Sequence, residues 1–321
     1  MKGTLKSRLV LMFVFVCLTA ILFGGIVEAK TYTLYYVPHA GAGDPFWATQ
    51  KLGWDAACKQ LGVEGIFIAP IKFSVTAQVD MLESAISAKP DGIATTISSD
   101  KAFSAPLERA KDLGIPVIAV NVEDYEPPYV PYLAYIGQDE FVVGETLANR
   151  VLKDFTPKRV VIGIHQPGLT CLEVRAQGII DIFKDKGIPV EKIDITPEPT
   201  QGIEILKSYI KKYPDTEVIF TLGPLGAHPA IDLVNEENLK GKVRLATCDV
   251  SEKIITSIKE GDMIAAIAQQ PFMQGYLAAV WLYLNLEYGF IPPPKMQTGP
   301  AIIDMNSIDS AILQVEKTGS I

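Results

Sequence analysis

The residues best suited to chemistry are a carboxylate and two aromatic rings in one short segment, Asp44-Pro45-Phe46-Trp47. The segment follows a strand-like run at residues 33–37, and open α/β sheets bind their ligands at the carboxyl ends of their strands. A carboxylate accepts hydrogen bonds from a ligand's polar edge, and an aromatic ring covers its apolar face. The segment therefore predicts a site for a small ligand that has polar edges and an apolar face, as a sugar has.

Polar residues also follow other strand-like runs, where they would reach the same ligand. A guanidinium group and a carboxylate can each bind vicinal hydroxyl groups through two hydrogen bonds. The further predicted ligand-binding residues are Asn121, Asp139, Arg175, Asp249 and Gln269. The three histidines of the chain lie at strand ends or in the loops that follow and are additional candidates for ligand contact: His39, His165 and His228.

Several of these residues have a structural explanation as an alternative to ligand binding. The two aromatic rings at 46 and 47 are also suited to anchor the first helix in the core. Asp139 is suited to cap the helix that is predicted from residue 141 onward. Arg175 could instead form an ion pair with Glu173 or Asp181 on a helix surface, which would contribute little stability. A lone loop histidine is often solvent-exposed and without a function.

The sequence contains no catalytic motif. It has no Gly-x-Ser-x-Gly, no His-Glu-x-x-His and no Walker phosphate loop. The run Gly41-Ala42-Gly43 follows a strand, but Phe46 stands where a dinucleotide fingerprint needs its third glycine. The pair Glu123 and Asp124 would suit a glycosidase, yet a turn before Pro127 explains it as well. We predict no enzyme, no cofactor and no metal site.

Charge and cysteine content narrow the class of protein. The chain of 321 residues has a net charge of −8, and without residues 1–29 it keeps 26 basic and 36 acidic side chains, a net charge of −10. Such an acidic domain argues against nucleic acid and against an anionic membrane surface as partners. Cys58, Cys171 and Cys248 are widely spaced and lack metal-binding spacing. They read as three buried thiols, with a single bridge as the alternative.

The amino terminus resembles a secretion signal. Lys2, Lys6 and Arg8 precede an apolar stretch at residues 9–25, and Val27-Glu28-Ala29 is a small-residue cleavage site. The mature chain would then begin at Lys30. An uncleaved membrane anchor is the alternative, because the stretch is near the lower length for spanning a bilayer.

Strand-like and helix-like patterns alternate along the rest of the chain, which predicts βαβ units with parallel sheets. A proline-rich interruption at 126–131 divides the alternation into two similar halves, and 292 residues exceed what one hydrophobic core usually organises. The predicted helices lie at 46–61, 74–89, 105–113, 141–154, 173–186, 202–213 and 229–235. The sequence therefore predicts an α/β protein with two lobes.

Seven short motifs occur in an order that resembles the ribose-type periplasmic sugar-binding proteins of ABC importers. They are Asp44-Pro45-Phe46-Trp47, Asp91-Gly92-Ile93, Gly114-Ile115-Pro116-Val117-Ile118, Tyr135-Ile136-Gly137-Gln138-Asp139, Arg175-x-x-Gly178, Cys248-Asp249 and Ala268-Gln269-Gln270-Pro271. The resemblance covers essentially the whole chain after residue 29. It implies two Rossmann-like lobes, each a parallel sheet flanked by helices, joined by three hinge crossovers near 136/137, 269/270 and 298/299. The lobes would comprise residues 30–136 plus 270–297 and residues 137–269 plus 298–321.

The resemblance also implies a function. By motif position, the ligand-contact role falls to Asp44, Phe46, Trp47, Asn121, Arg175, Asp249 and Gln269. The protein would be exported to the periplasm or another extracytoplasmic compartment. There it would capture a monosaccharide or polyol between its lobes and deliver it to an ABC transporter permease. The alternative is a binding protein of the same fold for a furanose-like signal or for chemotaxis, with a chemoreceptor as partner.

Two departures from the family pattern put ribose itself in doubt. Family members often have an acid and then a basic residue where this chain has Asn121-Val122. Many also have an Asn-Asp pair where it has Gly223-Pro224. We expect that one or more of the histidines supplies the missing polar contacts.

Overall fold

The structure is a computed structural model that describes residues 31–41, 43–125 and 127–318. The predicted signal peptide at 1–29 lies outside the described residues. Across those three ranges, no helix is both long enough and apolar enough to cross a membrane.

The first sheet has six parallel strands in the order β11-β5-β4-β3-β1-β2. The strands are β1 (Thr33–Val37), β2 (Glu64–Phe67), β3 (Gly92–Thr95), β4 (Val117–Val120), β5 (Ala134–Gly137) and β11 (Lys295–Gln297). Four helices pack against it: α1 (Pro45–Leu61), α2 (Val75–Ser87), α3 (Asp100–Asp112) and α9 (Pro271–Tyr288). Separate apolar clusters fill its two faces, one under α1 and α9 and the other under α2 and α3.

The second sheet has the order β12-β10-β9-β8-β6-β7. Its strands are β6 (Val160–Ile164), β7 (Val190–Asp194), β8 (Val218–Thr221), β9 (Arg244–Cys248), β10 (Met263–Ala268) and β12 (Ala301–Ile303). Its helices are α4 (Glu140–Leu152), α5 (Thr170–Asp185), α6 (Pro199–Lys212), α7 (Pro224–Glu236), α8 (Glu252–Lys259) and α10 (Ile308–Thr318). Two further apolar clusters cover its faces. The predicted α/β fold of two sheets with flanking helices is confirmed.

The chain passes between the sheets three times, after β5, after β10 and after β11. The connecting segments are bound to one another, because the Thr298 amide donates to the Gly137 carbonyl oxygen at 2.8 Å. The Gln274 side-chain amide donates to the Gln269 carbonyl oxygen and to Thr298 Oγ1, each at 3.0 Å. One strand departs from the predicted parallel arrangement: β12 is antiparallel to β10. It directly follows β11 in the other sheet, and the three intervening residues leave no room for a crossover helix.

Two predicted helices begin five residues earlier than the sequence pattern indicated. The helix predicted at 105–113 is α3 and starts at Asp100, where the Ser99 side chain caps it by accepting from the Ala102 amide. The helix predicted at 229–235 is α7 and starts at Pro224, so that Pro229 lies inside it. The Ser99 cap favours the early start of α3, and α7 begins at Pro224, a first helical position at which proline is tolerated.

Helix pairs in the two lobes approach closely through glycines. A Cβ atom on Gly275 of α9 would lie 2.1 Å from the Gln50 carbonyl oxygen of α1. In the second lobe, a Cβ atom on Gly178 of α5 would lie 2.3 Å from the Phe141 carbonyl oxygen of α4. Both distances are far below van der Waals contact, so only glycine lets these helix backbones pack at such separations.

The cysteines of the described residues follow the first interpretation of the sequence. Cys58, Cys171 and Cys248 are buried and free. Burial raises the pKa of the Cys58 and Cys248 thiols to about 12 each, so both stay protonated near neutral pH.

Candidate functional site

Loops at the carboxyl ends of strands from both sheets meet at one cavity, here called the cleft site. Its lining also includes seven residues that sequence reasoning did not select for ligand contact, among them Gln166, Leu169, Leu172 and Gly223. Of the eleven residues predicted to contact ligand, nine line it: His39, Asp44, Phe46, Trp47, Asn121, His165, Arg175, Asp249 and Gln269. The tertiary structure therefore assembles residues that are more than 200 positions apart in the sequence.

A chain of amide and carboxyl groups connects the two sheets at the cleft site. Asn121, which follows β4, donates from Nδ2 to Gln269 Oε1 at 2.9 Å. The other end of the Gln269 amide donates to Asp249 Oδ1. Asn121 and Asp249 share a left-handed backbone, each with φ of 64°, a conformation that Asn and Asp adopt more readily than most residues. This backbone turns both side chains out of their strands and toward the cleft.

The carboxyl group of Asp249 is a weaker acid than an ordinary aspartate. Burial raises its pKa to about 7, and nearby Arg175 together with the hydrogen bond from Gln269 opposes part of that rise. A carboxyl group with this pKa exchanges readily between donor and acceptor forms at neutral pH, which suits it to a ligand hydroxyl group.

Arg175 projects from α5 and is only 3% exposed. Its Nε and one terminal nitrogen contact Glu140 Oε2 at 2.7 and 2.6 Å, and its other terminal nitrogen donates to the Leu222 carbonyl oxygen at 2.7 Å. The partner is therefore Glu140 on α4. Of the two acids considered from the sequence, Glu173 pairs instead with Lys192 and Asp181 accepts from Gln177.

Sequence reasoning missed Glu140, although a signal for it exists. It is spaced at 140, 143, 147 and 151 with buried apolar residues of α4, so it lies on the buried face of that helix. A carboxylate on such a face needs a charged partner, because burying a lone charge is costly. Burial raises the pKa of Glu140, and the adjacent Arg175 opposes this rise.

The aromatic rings form a wall of the cleft site. Phe46 and Trp47 stand edge to face with centroids 5.0 Å apart, and Trp47 packs against His39 at 4.5 Å. With Ala40 they form a small cluster that is separate from the four main apolar clusters. The two rings therefore lie at the cleft and outside the main core, where one face can cover a ligand.

Asp44 has a structural role in addition to its place at the cleft. Its side chain caps α1 by accepting from the Phe46 amide at 3.0 Å. Burial raises the pKa of its carboxyl group, and the hydrogen bond from the Phe46 amide opposes the rise. The cap fixes the carboxylate beside the two aromatic rings that follow it.

Each sheet contributes one buried histidine. His39 Nδ1 lies 3.1 Å from Thr96 Oγ1, whereas His165 Nδ1 has no hydrogen-bond partner among the described residues. Burial lowers the pKa of both imidazoles to about 3. The nearby His165 also lowers the pKa of His39, and the nearby Arg175 also lowers the pKa of His165. Both rings are neutral near pH 7, so each offers one donor and one acceptor.

Two predicted site residues do not lie at the cleft site. Asp139 is exposed and caps α4, accepting from the Phe141 and Val142 amides at 3.1 Å each. His228 lies on α7, with its Nε2 2.9 Å from Ser251 Oγ. The structure supports the capping alternative for Asp139 and gives His228 a partner away from the cleft.

The described ranges contain no group of three or more His, Cys, Asp or Glu side chains that could hold a metal ion. The cleft site thus offers hydrogen-bonding groups, aromatic faces and a charge-balanced arginine.

Comparison with known proteins decides the family. The model of the periplasmic binding protein domain matches residues 34–289. This chain belongs to the periplasmic binding protein family. It is similar to the xylose/arabinose-binding protein XylF of Sulfolobus acidocaldarius, with 26% identity over 93% of this chain and 77% of that protein. Members of the family bind substrates and are not enzymes.

Solved structures of periplasmic binding proteins agree with this assignment. A periplasmic sugar-binding protein from Legionella pneumophila superimposes with a TM-score of 0.80 at 33% identity, covering 84% of this chain and 99% of that one. A carbohydrate transporter protein from Acidothermus cellulolyticus, solved with myo-inositol, gives a TM-score of 0.82 at 26% identity, covering 90% of this chain and 100% of that one. The resemblance seen in the sequence is confirmed.

One local feature of this periplasmic binding protein explains why it has Gly223-Pro224 where the sequence comparison with the family expected an Asn-Asp pair. A Cβ atom on Gly223 would lie 3.0 Å from His165 Cε1 and 3.4 Å from Asp249 Oδ2. The missing side chain therefore leaves room for the imidazole of His165. His165, which follows the neighbouring strand β6, takes the space that a longer residue at 223 would need.

Proposed function

We propose that this protein is an extracytoplasmic solute-binding protein that captures a neutral monosaccharide or polyol at the cleft site and delivers it to an ABC transporter permease. The observation that carries the proposal is the cleft itself, where hydrogen-bonding side chains from both sheets converge beside two aromatic rings. Hydroxyl groups need such paired donors and acceptors, and the C–H face of a sugar ring packs on an aromatic ring.

The charge balance of the cleft argues for a neutral ligand. Its arginine, Arg175, is already paired with Glu140, and both histidines at the cleft are neutral. The remaining ionisable groups of the lining are the carboxyl groups of Asp44 and Asp249 and the thiol of Cys171, whose pKa is raised by burial. An anionic ligand such as a sugar acid or a sugar phosphate would meet no unpaired cation there and would face desolvation without compensation.

Similar proteins suggest which neutral ligands to test first. The relatives and structures that resemble this chain include a xylose/arabinose-binding protein, a protein solved with myo-inositol and one solved with D-arabinose. We propose pentoses and cyclic polyols as the first candidates, with ligand contact made by the nine predicted residues that line the cleft.

We also propose that the two lobes move as units about the crossovers. The lobes would be residues 30–136 plus 270–297 and residues 137–269 plus 298–321, which agrees with the membership of the strands in the two sheets. Ligand bound to both lobes would favour a closed form, and the closed form would dock on the permease. Export would depend on the amino-terminal segment, with cleavage before Lys30.

A thermal-shift screen followed by calorimetry tests this function. The purified protein is unfolded and refolded to remove carried-over ligand, and pentoses, hexoses, inositol, sugar acids and sugar phosphates are added separately. A ligand at about 1,000 times its Kd adds roughly 4 kcal/mol to the free energy of unfolding, on the order of ten degrees in Tm. A shift with a neutral sugar or polyol and none with the anionic compounds is the expected result.

Variants then locate the ligand. Asp249→Asn removes a cleft carboxyl group and is expected to weaken binding at least about tenfold, the usual worth of a buried charge-assisted hydrogen bond. Asp139→Asn removes one negative charge outside the cleft and should leave affinity unchanged. Binding of a sugar acid in preference to its neutral parent, or equal affinity in the Asp249 variant and the native protein, would contradict the proposed site.

A further inference from the structure

A second cavity of about 490 Å³ lies beside the crossover from β5 to α4. It shares no lining residue with the cleft site. Its wall combines three tyrosine rings and one phenylalanine ring with four carboxyl groups, those of Glu123, Asp124, Asp139 and Glu140. One basic side chain, Lys295, also lines it. Aromatic faces and carboxylates together attract organic cations.

Most of the carboxyl groups in this wall have identified partners. Lys295 Nζ contacts the two oxygens of Glu123 at 2.9 and 2.7 Å. Asp124 accepts from the Tyr132 hydroxyl at 2.6 Å and from the Val130 amide at 2.7 Å, so its partners are neutral. Asp139 accepts from two backbone amides at the start of α4. Lys295 pairs with Glu123 and Arg175 pairs with Glu140, so the excess of negative charge at the cavity comes from Asp124 and Asp139.

Two buried polar atoms of the cavity residues lack hydrogen-bond partners among the described residues. One is Glu140 Oε1, whose sister oxygen Oε2 holds Arg175, and the other is the hydroxyl group of Tyr125. Glu140 is only 1% exposed. The negative charge of Glu140 contributes to raising the pKa of Tyr125, so the two groups lie within electrostatic reach of each other. An unpartnered buried carboxylate oxygen is costly, and it marks a place for a donor.

We propose that this cavity binds an organic ammonium ion, such as an alkylamine or a short diamine. The ammonium group donates hydrogen bonds to Glu140 Oε1 and to the Tyr125 hydroxyl oxygen, and the aliphatic chain lies against the aromatic rings. A metal ion fits less well, because the described ranges hold no cluster of three metal-ligating side chains and the wall is largely aromatic. The site goes beyond sugar capture, since it is separate from the cleft.

Isothermal titration with putrescine tests the proposal, and 1,4-butanediol serves as the neutral isostere. Saturable one-to-one binding of putrescine without binding of butanediol is expected. Glu123→Gln removes a carboxylate and should weaken putrescine binding about tenfold. Lys295→Met removes the competing ammonium group and should strengthen it by a similar factor. Glu204→Gln, an equal change of charge at an exposed position of α6, is the matched control and should have no effect.

The same titration in Asp249→Asn separates this site from sugar binding. Putrescine affinity is expected to persist in that variant, whether or not the protein binds sugars. Glu140 is not varied here because it also holds Arg175. The proposal is overturned if putrescine gives no saturable heat into the millimolar range with either the native protein or Lys295→Met. Equal binding of butanediol, an unchanged affinity in Glu123→Gln, or loss of putrescine binding in Asp249→Asn would overturn it as well.

Discussion

The ion pair between Glu140 and Arg175 provides the sharpest test of the physical reasoning. Both side chains are buried, with exposures of 0% and 3%, and their contacts are 2.6 and 2.7 Å long. Glu140→Gln keeps the volume but leaves the guanidinium group without a counter-charge, and the Leu222 carbonyl oxygen offsets only part of that loss. Removing one partner of a buried pair costs about 3–5 kcal/mol. We expect a loss of that size in the free energy of unfolding.

The double variant Glu140→Gln/Arg175→Met should be more stable than Glu140→Gln alone, because it buries no uncompensated charge. The assay is urea unfolding of ligand-free protein followed by far-UV circular dichroism. Intrinsic fluorescence is unsuitable because Trp47, Trp54 and Trp281 belong to helices that pack on the first sheet. They would report on that sheet, whereas Glu140 and Arg175 lie on helices of the second. A loss below about 1 kcal/mol in Glu140→Gln, or strictly additive effects of the two substitutions, would refute the reasoning.

Three further predictions follow from the structure. Because His39 and His165 have a pKa of about 3 when folded and about 6.5 when unfolded, acidification protonates them only in the unfolded chain, and stability falls below pH 6.5. Each histidine lowers the free energy of unfolding by about 2 kcal/mol at pH 5 relative to pH 8. Replacing both by Gln should therefore make the urea midpoint depend less on pH between these values. An unchanged pH dependence would contradict their burial as neutral rings. Gly275→Ala forces a Cβ atom to within 2.1 Å of a carbonyl oxygen and should lower the free energy of unfolding by on the order of 3 kcal/mol. In the control Gly43→Ala, the Cβ atom meets nothing within 4 Å, and the loss should be far smaller. Equal urea midpoints of the two variants would argue against the close helix packing. Asp139→Ala should lower the free energy of unfolding by about 1 kcal/mol through loss of the helix cap, and sugar affinity measured by calorimetry should not change; weakened sugar binding would return Asp139 to the site.

Much of the fold was predictable because it depends on local patterns. Alternating apolar runs and amphipathic stretches predicted βαβ units, and the structure confirms two sheets with flanking helices. The largest errors in the predicted helix starts fell at α3 and α7, which have Pro106 and Pro229 in their interiors. The antiparallel strand β12 gave no local signal. Its direction depends on which sheet it joins.

The cleft was predictable in part for the same reason. Polar residues at the carboxyl ends of strands converge in any parallel sheet, so nine of the eleven candidates line the cavity. The two that do not are Asp139, which caps its own helix, and His228, which contacts Ser251; the sequence could not rank these partners against a ligand. Glu140 was missed because its role depends on Arg175, 35 residues away and on a different helix.

The sequence by itself determined the alternation of strands and helices, the acidic charge and the types of side chain at the strand ends. These follow from hydrophobic periodicity and composition, which are local properties. The tertiary structure alone decided that Asn121, Gln269 and Asp249 join the two sheets, that Glu140 neutralises Arg175, and that His165 lies against Gly223. The reason is physical, since burial and charge balance are set by neighbours that lie far apart in sequence, and only packing brings them within hydrogen-bonding distance.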